Sequence, residues 1–184
     1  IVTSLGLRSA TNLKIPTLIL IILWPALSLA ALATDPSLFK ATYVAKFQGL
    51  QIEAKGVREL QRLENGDYRI TSSATSMLAR VLETSEFSLA DGQLKPIRYD
   101  YNRRGMGKSK QAFIAFDYGS KTLQHQDGTS ELIGGTLDKL SYQYQLTLDL
   151  TNLASSERSS NTFEYVVADG DKLKHYRFRV AGEE

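Results

Sequence analysis

The chain has 184 residues, of which 22 are basic and 20 acidic, and it contains no cysteine. The missing cysteines exclude disulfides, thiol catalysis and cysteine-ligated metal. Residues 1–33 hold two basic residues, Arg8 and Lys14, and no acidic one, so residues 34–184 carry no net charge. A neutral remainder argues against a general attraction to nucleic acid.

The N-terminal segment predicts a secretory signal peptide. Its two basic residues precede an apolar run, 15–30, which leads into small residues that fit signal-peptidase sites ending at Ala30 and Ala33. A positive end, an apolar core and an Ala-x-Ala site are the three parts of such a signal. An uncleaved membrane anchor is the alternative. Two prolines and a short core argue against it, because a spanning helix needs about 20 apolar residues.

We therefore expect residues 1–33 to be removed and residues 34–184 to form a single β-rich domain in the periplasm. The domain lacks the cysteine to which a lipid would be attached. The chain opens without methionine and its last predicted strand has no successor, so we also expect truncation at the C-terminus.

Tight turns divide this domain into antiparallel strands. Asn65–Gly66 is the strongest hairpin signal, because both residues tolerate the positive φ of a type I′ turn. Asp91–Gly92, Tyr118–Ser120 and Asp169–Gly170 mark three further hairpins. These signals predict a mainly β fold, a bent antiparallel up-and-down sheet or open barrel. The predicted strands are 39–47, 50–63, 68–74, 82–89, 94–103, 111–116, 121–126, 162–167 and 173–180.

Two segments depart from the strand pattern. Residues 76–80 fit one helical turn at an edge of the sheet. Residues 136–150 fit both the helical and the alternating period, but a strand of that length would be unusual. We therefore predict one packed helix over 137–150, capped by Thr136 and with Asp138 in its first turn.

Aromatic side chains recur on one predicted face of the sheet, beginning at Phe39 and interleaved with small residues. Such a lining either packs shut as a core or leaves a groove for an apolar or acyl ligand. The core is the default, because a sheet of this size must bury something. The candidate ligand-binding residues are Tyr43, Phe47, Phe87, Tyr99, Tyr101, Phe113, Tyr165 and Phe178.

A second candidate site is the basic loop formed by Arg103, Arg104, Lys108 and Lys110. It can contact anionic lipid headgroups or polysaccharide, and each charge near a lipid surface contributes about 1 kcal/mol. A solvated hairpin tip explains it equally well. It is not a phosphate-binding loop, because the glycine which that motif requires is replaced by Asn102.

The sequence contains no catalytic or metal-binding constellation. His125 and His175 stand in no metal-ligand spacing, and no serine lies in a Gly-x-Ser-x-Gly motif. The Asp-Gly pairs are explained as turns. We predict a non-enzymatic protein with no metal and no cofactor.

Several short motifs occur in a fixed order over residues 39–184. They include Gly66-Asp67-Tyr68-x-Ile70, Ser85-x-Phe87, Asp91-Gly92-x-Leu94-x-Pro96-x2-Tyr99-x-Tyr101, and Leu137-Asp138-x-Leu140-Ser141-x2-Tyr144. Taken in this order, they resemble the bacterial domain-of-unknown-function 3108 family. The resemblance implies an exported protein of Gram-negative bacteria with no established activity, and further strands in the family support the expected truncation. By shape alone, the predicted sheet is also similar to the periplasmic lipoprotein-carrier fold.

We predict a periplasmic protein that binds an apolar or acyl ligand on its aromatic face. One alternative is an envelope-associated protein-interaction module that uses an exposed sheet edge. A lipid or glycan hydrolase is less favoured. The expected partners are a lipid or other apolar ligand and an envelope protein, with only peripheral membrane contact and no nucleic acid.

Overall fold

The structure, a computed structural model, describes residues 35–46, 53–105, 107, 109–153 and 162–181. All of them belong to one compact unit, Ala33–Glu184. Strands dominate and one helix is present among the described residues, which confirms the predicted mainly β fold with one helix. Within these residues, no helix is long and apolar enough to cross a membrane.

Eight strands form one large antiparallel sheet in the predicted up-and-down order. The first and last strands are its two edges, so the sheet is open. Its strands are β1 (Phe39–Lys46), β2 (Glu53–Arg62), β3 (Tyr68–Ser76), β4 (Ala79–Ala90), β5 (Gln93–Gly105), β6 (Lys110–Asp117), β7 (Thr122–His125) and β8 (Gly128–Glu131).

A second, small sheet holds the remaining strands. β9 (Thr136–Asp138) pairs in parallel with β10 (Thr162–Asp169), and β10 pairs in antiparallel fashion with β11 (Lys172–Arg179). The hairpin at Asp169–Gly170 was expected to continue the large sheet. It lies instead in this separate sheet, because the second neighbour of β10 is β9 and not a strand of the large sheet. The sequence did not reveal β9, because a three-residue strand is too short to show a period.

The turns follow their residue types, with one correction. Asp91 and Gly92 both have positive φ, 52° and 75°, as a type I′ turn requires. At Asn65–Gly66 only the glycine has positive φ (90°), and its N–H donates to the carbonyl of Leu63 at 3.0 Å. The predicted hairpin is present, but it is a three-residue loop with glycine in the left-handed region and not a type I′ turn.

The predicted helical turn at 76–80 is wrong. This segment is the tight turn between β3 and β4, in which Ser76 Oγ accepts the backbone N–H groups of Leu78 (3.2 Å) and Ala79 (3.1 Å). A serine hydroxyl that bonds to nearby backbone N–H groups stabilises a turn in preference to a helix.

A bulge in β5 explains an irregular spacing in the sequence. The register between β4 and β5 shifts after Glu86, so that Phe87 lies opposite Pro96 and Ser85 lies opposite Tyr99. The extra residue keeps Pro96 and Tyr99 buried on the same face although three positions separate them. Proline suits a bulge because it has no N–H to donate to the ladder.

The helix α1 (Ser141–Asn152) begins later than predicted, and Thr136 and Asp138 belong to β9. Asp138 Oδ1 accepts the backbone N–H groups of Leu140 and Ser141, both at 2.8 Å, and Ser141 Oγ accepts the N–H of Asp138 at 2.9 Å. This reciprocal pairing resembles a capping box and fixes the start of the helix. Pairing of Thr136–Asp138 with the distant β10 overrode the local helical pattern.

The core lies between the large sheet and α1. One face of the sheet, called the inner face, carries the buried row Leu60, Ile70, Tyr99 and Ile114. Tyr144 of the helix packs on this face, with its ring centroid 6.3 Å from that of Phe39 and 6.0 Å from that of Phe87.

Toward one end the large sheet is uncovered. This region, called the open end, comprises 43–46, 53–56, 74–82 and 102–105, which lie beside one another in register. None of the side chains described there is buried. Tyr43 and Val44 on the edge strand are 56% and 55% exposed.

Asp138 provides a test of how the parts are joined. Its side chain is fully buried, and its Oδ2 accepts the hydroxyl of Ser85 on β4 at 2.6 Å. We expect Asp138→Ala to lower the free energy of unfolding by about 3 kcal/mol, because buried donors left without an acceptor cost about 1–3 kcal/mol each. Asp138→Asn keeps a carbonyl oxygen for the two N–H groups and should lose about 1 kcal/mol. Urea denaturation measures both, and equal losses would contradict the assignment.

The free energy of unfolding should also depend on pH in the unchanged chain but not, through this residue, in Asp138→Asn. Burial raises the pKa of Asp138, although its hydrogen bonds oppose the shift. The stability associated with the protonated form is therefore present at acid pH and is lost as the pH rises through the raised pKa. Because asparagine has no ionisable group, Asp138→Asn should not show that loss when the free energy of unfolding is measured by urea denaturation at increasing pH.

Candidate functional site

Two cavities open where the small sheet and α1 meet the large sheet. The larger, called the groove, has a volume of about 650 Å³ and lies between the β4–β5 hairpin, the segment before β9, α1 and β10. This volume is in the range of ligand-binding pockets, roughly 300–1,000 Å³. Its walls include Leu94, Tyr118, Leu137, Phe163 and Tyr165.

Polar side chains hold the groove walls in place. Gln145, which is 1% exposed, accepts the N–H of Leu94 at 2.8 Å and donates to the carbonyl of Gly92 at 3.0 Å. It also donates to Asp149 at 2.9 Å, and the hydroxyl of Tyr165 donates to the same carboxylate at 2.6 Å. Burial, and then this carboxylate, raise the pKa of Tyr165. The hydrogen bonds of Gln145, Asp149 and Tyr165 thus join α1 to the β4–β5 hairpin and to β10.

The rim of the groove carries a cation over an aromatic ring. The ammonium of Lys95 lies 4.2 Å from the ring centroid of Tyr118, whose hydroxyl donates to the carbonyl of Pro96 at 2.8 Å. Burial raises the pKa of Tyr118 to about 12, so its hydroxyl stays protonated at neutral pH. The groove therefore combines apolar walls with the cation Lys95, while Glu164, which also lines it, is paired with Arg177 at 2.6 Å.

The second opening, called the polar cavity, has a volume of about 290 Å³. Asp169 on its wall pairs with Lys139 at 2.6 Å and with Lys174 at 2.5 Å, and hydrogen bonds from these two lysines lower its pKa to about 2. The ammonium of Lys139 also lies 5.8 Å from the ring centroid of Tyr101. His125 lines the cavity and is 9% exposed, and neither ring nitrogen has a hydrogen-bond partner among the described residues.

The structure divides the predicted aromatic lining among several places. Phe87 and Tyr99 belong to the closed core, and the hydroxyl of Tyr99 donates to Glu83 at 2.5 Å. Burial, and then this hydrogen bond, raise the pKa of Tyr99. Tyr99 and Tyr101 both border the polar cavity, and Tyr43 lies at the open end.

The other predicted aromatic residues lie elsewhere. Phe113 sits opposite Asp100, with the Arg98 guanidinium 5.2 Å from its ring centroid, and it also borders the polar cavity. Tyr165 and Phe178 lie in the small sheet, 6.1 Å apart between ring centroids. The expectation of one shared face holds for Tyr43, Phe87, Tyr99 and Tyr101, which lie on the inner face of the large sheet. It is wrong for Phe113, which alternation places on the other face, and for Tyr165 and Phe178, which belong to the second sheet. Phe47 lies outside the described residues.

The basic loop is shorter than the sequence suggests. Arg103 and Arg104 are the last side chains of β5 before Gly105, and Lys110 begins β6. Arg104 and Lys110 are exposed and Arg103 is half-buried. Lys108 lies outside the described residues.

Sequence reasoning missed Gln145, Asp149 and Phe163 as groove residues. Gln145 and Asp149 lie four positions apart on α1 and so project from the same side of the helix. That spacing is visible in the sequence. The groups that bond to these two side chains, on the β4–β5 hairpin and on β10, cannot be predicted from it because they are distant along the chain.

The profile of the family described as "Protein of unknown function (DUF3108)" matches residues 42–184. The chain belongs to this family. The match confirms the resemblance seen in the motifs and includes every residue that we describe in the groove and the polar cavity. No curated protein and no solved structure matches the chain.

The ion pairs of Asp169 predict an acid-sensitive contribution to stability. Because the folded-state pKa is lowered to about 2 from an ordinary value of 3.8, this stability is present above about pH 4. It is lost as the pH falls toward 2. After allowance for solvent screening we expect about 1 kcal/mol. Asp169→Asn should flatten the free energy of unfolding between pH 4 and 2, measured by urea denaturation, and an unchanged slope would contradict it.

Proposed function

We propose that this chain is an exported, non-enzymatic protein that binds an apolar or acyl ligand in the groove. The single observation that carries the proposal is a groove of about 650 Å³ with apolar and aromatic walls. Apolar walls with a few fixed polar groups are typical of small-molecule sites.

The pairing inside the groove favours an apolar ligand over a polar one. Gln145, Asp149 and Tyr165 are bonded to one another or to the backbone, so they offer few free donors to a ligand. Lys95 at the rim suits a carboxylate or another anionic head at the end of an apolar chain. An amphipathic molecule such as a fatty acid combines both features.

The non-catalytic part of the proposal rests on the sequence, which has no Gly-x-Ser-x-Gly motif and no metal-ligand spacing. Among the described residues no group of three or more His, Asp or Glu side chains could hold a metal ion. Two carboxylates line the groove: Asp149 is engaged by Gln145 and Tyr165, and Glu164 pairs with Arg177 at 2.6 Å.

Export is the second part of the proposal and has its own test. We expect the protein expressed in a Gram-negative host to be recovered from the periplasm with Thr34 as its first residue. Mass spectrometry of the periplasmic fraction measures this. Recovery of the unprocessed chain in the membrane fraction would favour the anchor instead.

Ligand binding is tested by filling the groove. Gly134 lines it, and a Cβ added there would meet no atom within 4 Å, so Gly134→Trp should place its ring in the groove without strain in the backbone. We expect the affinity for a dansyl-labelled fatty acid, measured by fluorescence titration, to fall at least about tenfold, or 1.4 kcal/mol. Thr129→Trp is the matched control, because Thr129 is exposed on β8 and away from the groove. Equal binding by both variants would show that the ligand does not occupy the groove.

A further inference from the structure

We propose that the open end of the large sheet is a docking surface for an anionic lipid bilayer. Its contact residues are Met77 and Leu78 at the β3–β4 turn, with Arg80 and Arg104 beside them on one face of the sheet. Lys110, which lies next to the open end and opposite Arg103, adds a charge on the other face. This surface is separate from the groove, and its proposed binding to a bilayer does not depend on the ligand proposed for the groove.

Backbone packing brings the β3–β4 turn and the end of β5 together. Gly105 has a φ of 92°, and a Cβ at this position would collide with the carbonyl oxygen of Leu78. Only glycine tolerates both the conformation and the close approach. The turn and the basic residues that precede Gly105 therefore form one continuous surface.

Apolar side chains occupy the tip of this surface. Met77 is 83% exposed and Leu78 is 38% exposed. Turn positions usually carry Gly, Asn, Asp or Ser, whose local conformations favour the turn. Here Ser76 supplies the local hydrogen bonds, so the two apolar residues are free to project from a fixed backbone.

Basic residues outnumber acidic residues at the open end, where Glu53, paired with Lys55, is the one acidic residue in the ranges given above. Arg80 and Arg104 lie directly opposite one another on β4 and β5. Like charges in such a cross-strand pair repel each other and normally destabilise a sheet. In the described part of the chain, neither they nor Lys110 make an ion pair. Several other cations on the same sheet are paired, as in Arg69–Glu86 (2.5 Å) and Arg98–Asp100 (2.7 Å).

Exposed apolar residues with a collar of basic residues match the chemistry of an anionic membrane surface. The apolar side chains enter the boundary between headgroups and acyl chains, and the cations meet lipid phosphates. Long Arg and Lys side chains can reach the headgroups while their stems lie along apolar material. An anionic polysaccharide would use the cations but leave Met77 and Leu78 exposed to water.

The first test removes the charges. Binding of the full chain to phosphatidylcholine vesicles that contain phosphatidylglycerol is measured by co-sedimentation. Each charge contributes about fivefold in affinity, so the triple variant Arg80→Gln, Arg104→Gln, Lys110→Gln should bind roughly 100-fold more weakly. The control Lys121→Gln, Lys172→Gln, Arg179→Gln removes three exposed charges elsewhere and should lose less than about fivefold. Equal losses by the two variants would overturn the proposal.

The second test follows the tip itself. Because the chain has no cysteine, Met77→Cys can be labelled at one site with an environment-sensitive dye. Its emission should shift to the blue with anionic vesicles, while a label at Thr129→Cys, exposed on β8 and outside both the open end and the groove, should not respond. All variants carry the same apolar N-terminal segment, so vesicle contact by that segment cannot produce the difference.

Two further outcomes separate the alternatives. Gly134→Trp should bind vesicles like the unchanged chain, which keeps failure of the groove proposal distinct from failure of this one. Binding of an anionic polysaccharide through the three cations, with no dye response to vesicles, would assign the surface to polysaccharide and overturn the membrane proposal.

Discussion

The buried carboxyl group of Asp138 connects the parts of this molecule. One oxygen accepts the hydroxyl of Ser85 on the large sheet, and the other accepts the first backbone N–H groups around the start of α1. Asp138 itself is the last residue of β9, which pairs with β10. A buried acidic group is costly unless it is hydrogen-bonded, so its position strongly constrains its partners. The direction of the helix and the attachment of the small sheet both follow from this contact.

The helix that starts there has aromatic side chains on two sides. Tyr144 packs on Phe39 and Phe87 of the large sheet, whereas Tyr142 stacks on Tyr176 of the small sheet with ring centroids 5.2 Å apart. Residues two positions apart on a helix point in nearly opposite directions, so one short helix serves both sheets. Twelve residues cover only part of an eight-stranded sheet. The surfaces left for binding are the cavities beside the helix and the open end beyond it.

Local chemistry in the sequence predicted most of the strands but little of the site. The hairpin predicted at Asp91–Gly92 is present, whereas the type I′ turn predicted at Asn65–Gly66 is a three-residue loop. The helix was expected from 137 because Leu137 and Leu140 fit its period, yet Leu137 pairs with Val167 in a sheet. Of the predicted ligand-binding residues, Tyr165 lines the groove, while Phe87 and Tyr99 are closed into the core. Alternation tells which side chains share a strand face and not what covers that face.

The sequence by itself determined the fold class, the family and the hairpins of the large sheet, because these depend on short-range periods, turn residues and motif order. Tertiary structure decided which strands form the second sheet, where α1 begins and which aromatic residues border a cavity. Each of these depends on residues far apart in the chain, such as Asp138 with Ser85 and Gln145 with Leu94. No local pattern specifies such a pair, since burial and hydrogen bonding select it only when the whole chain has packed.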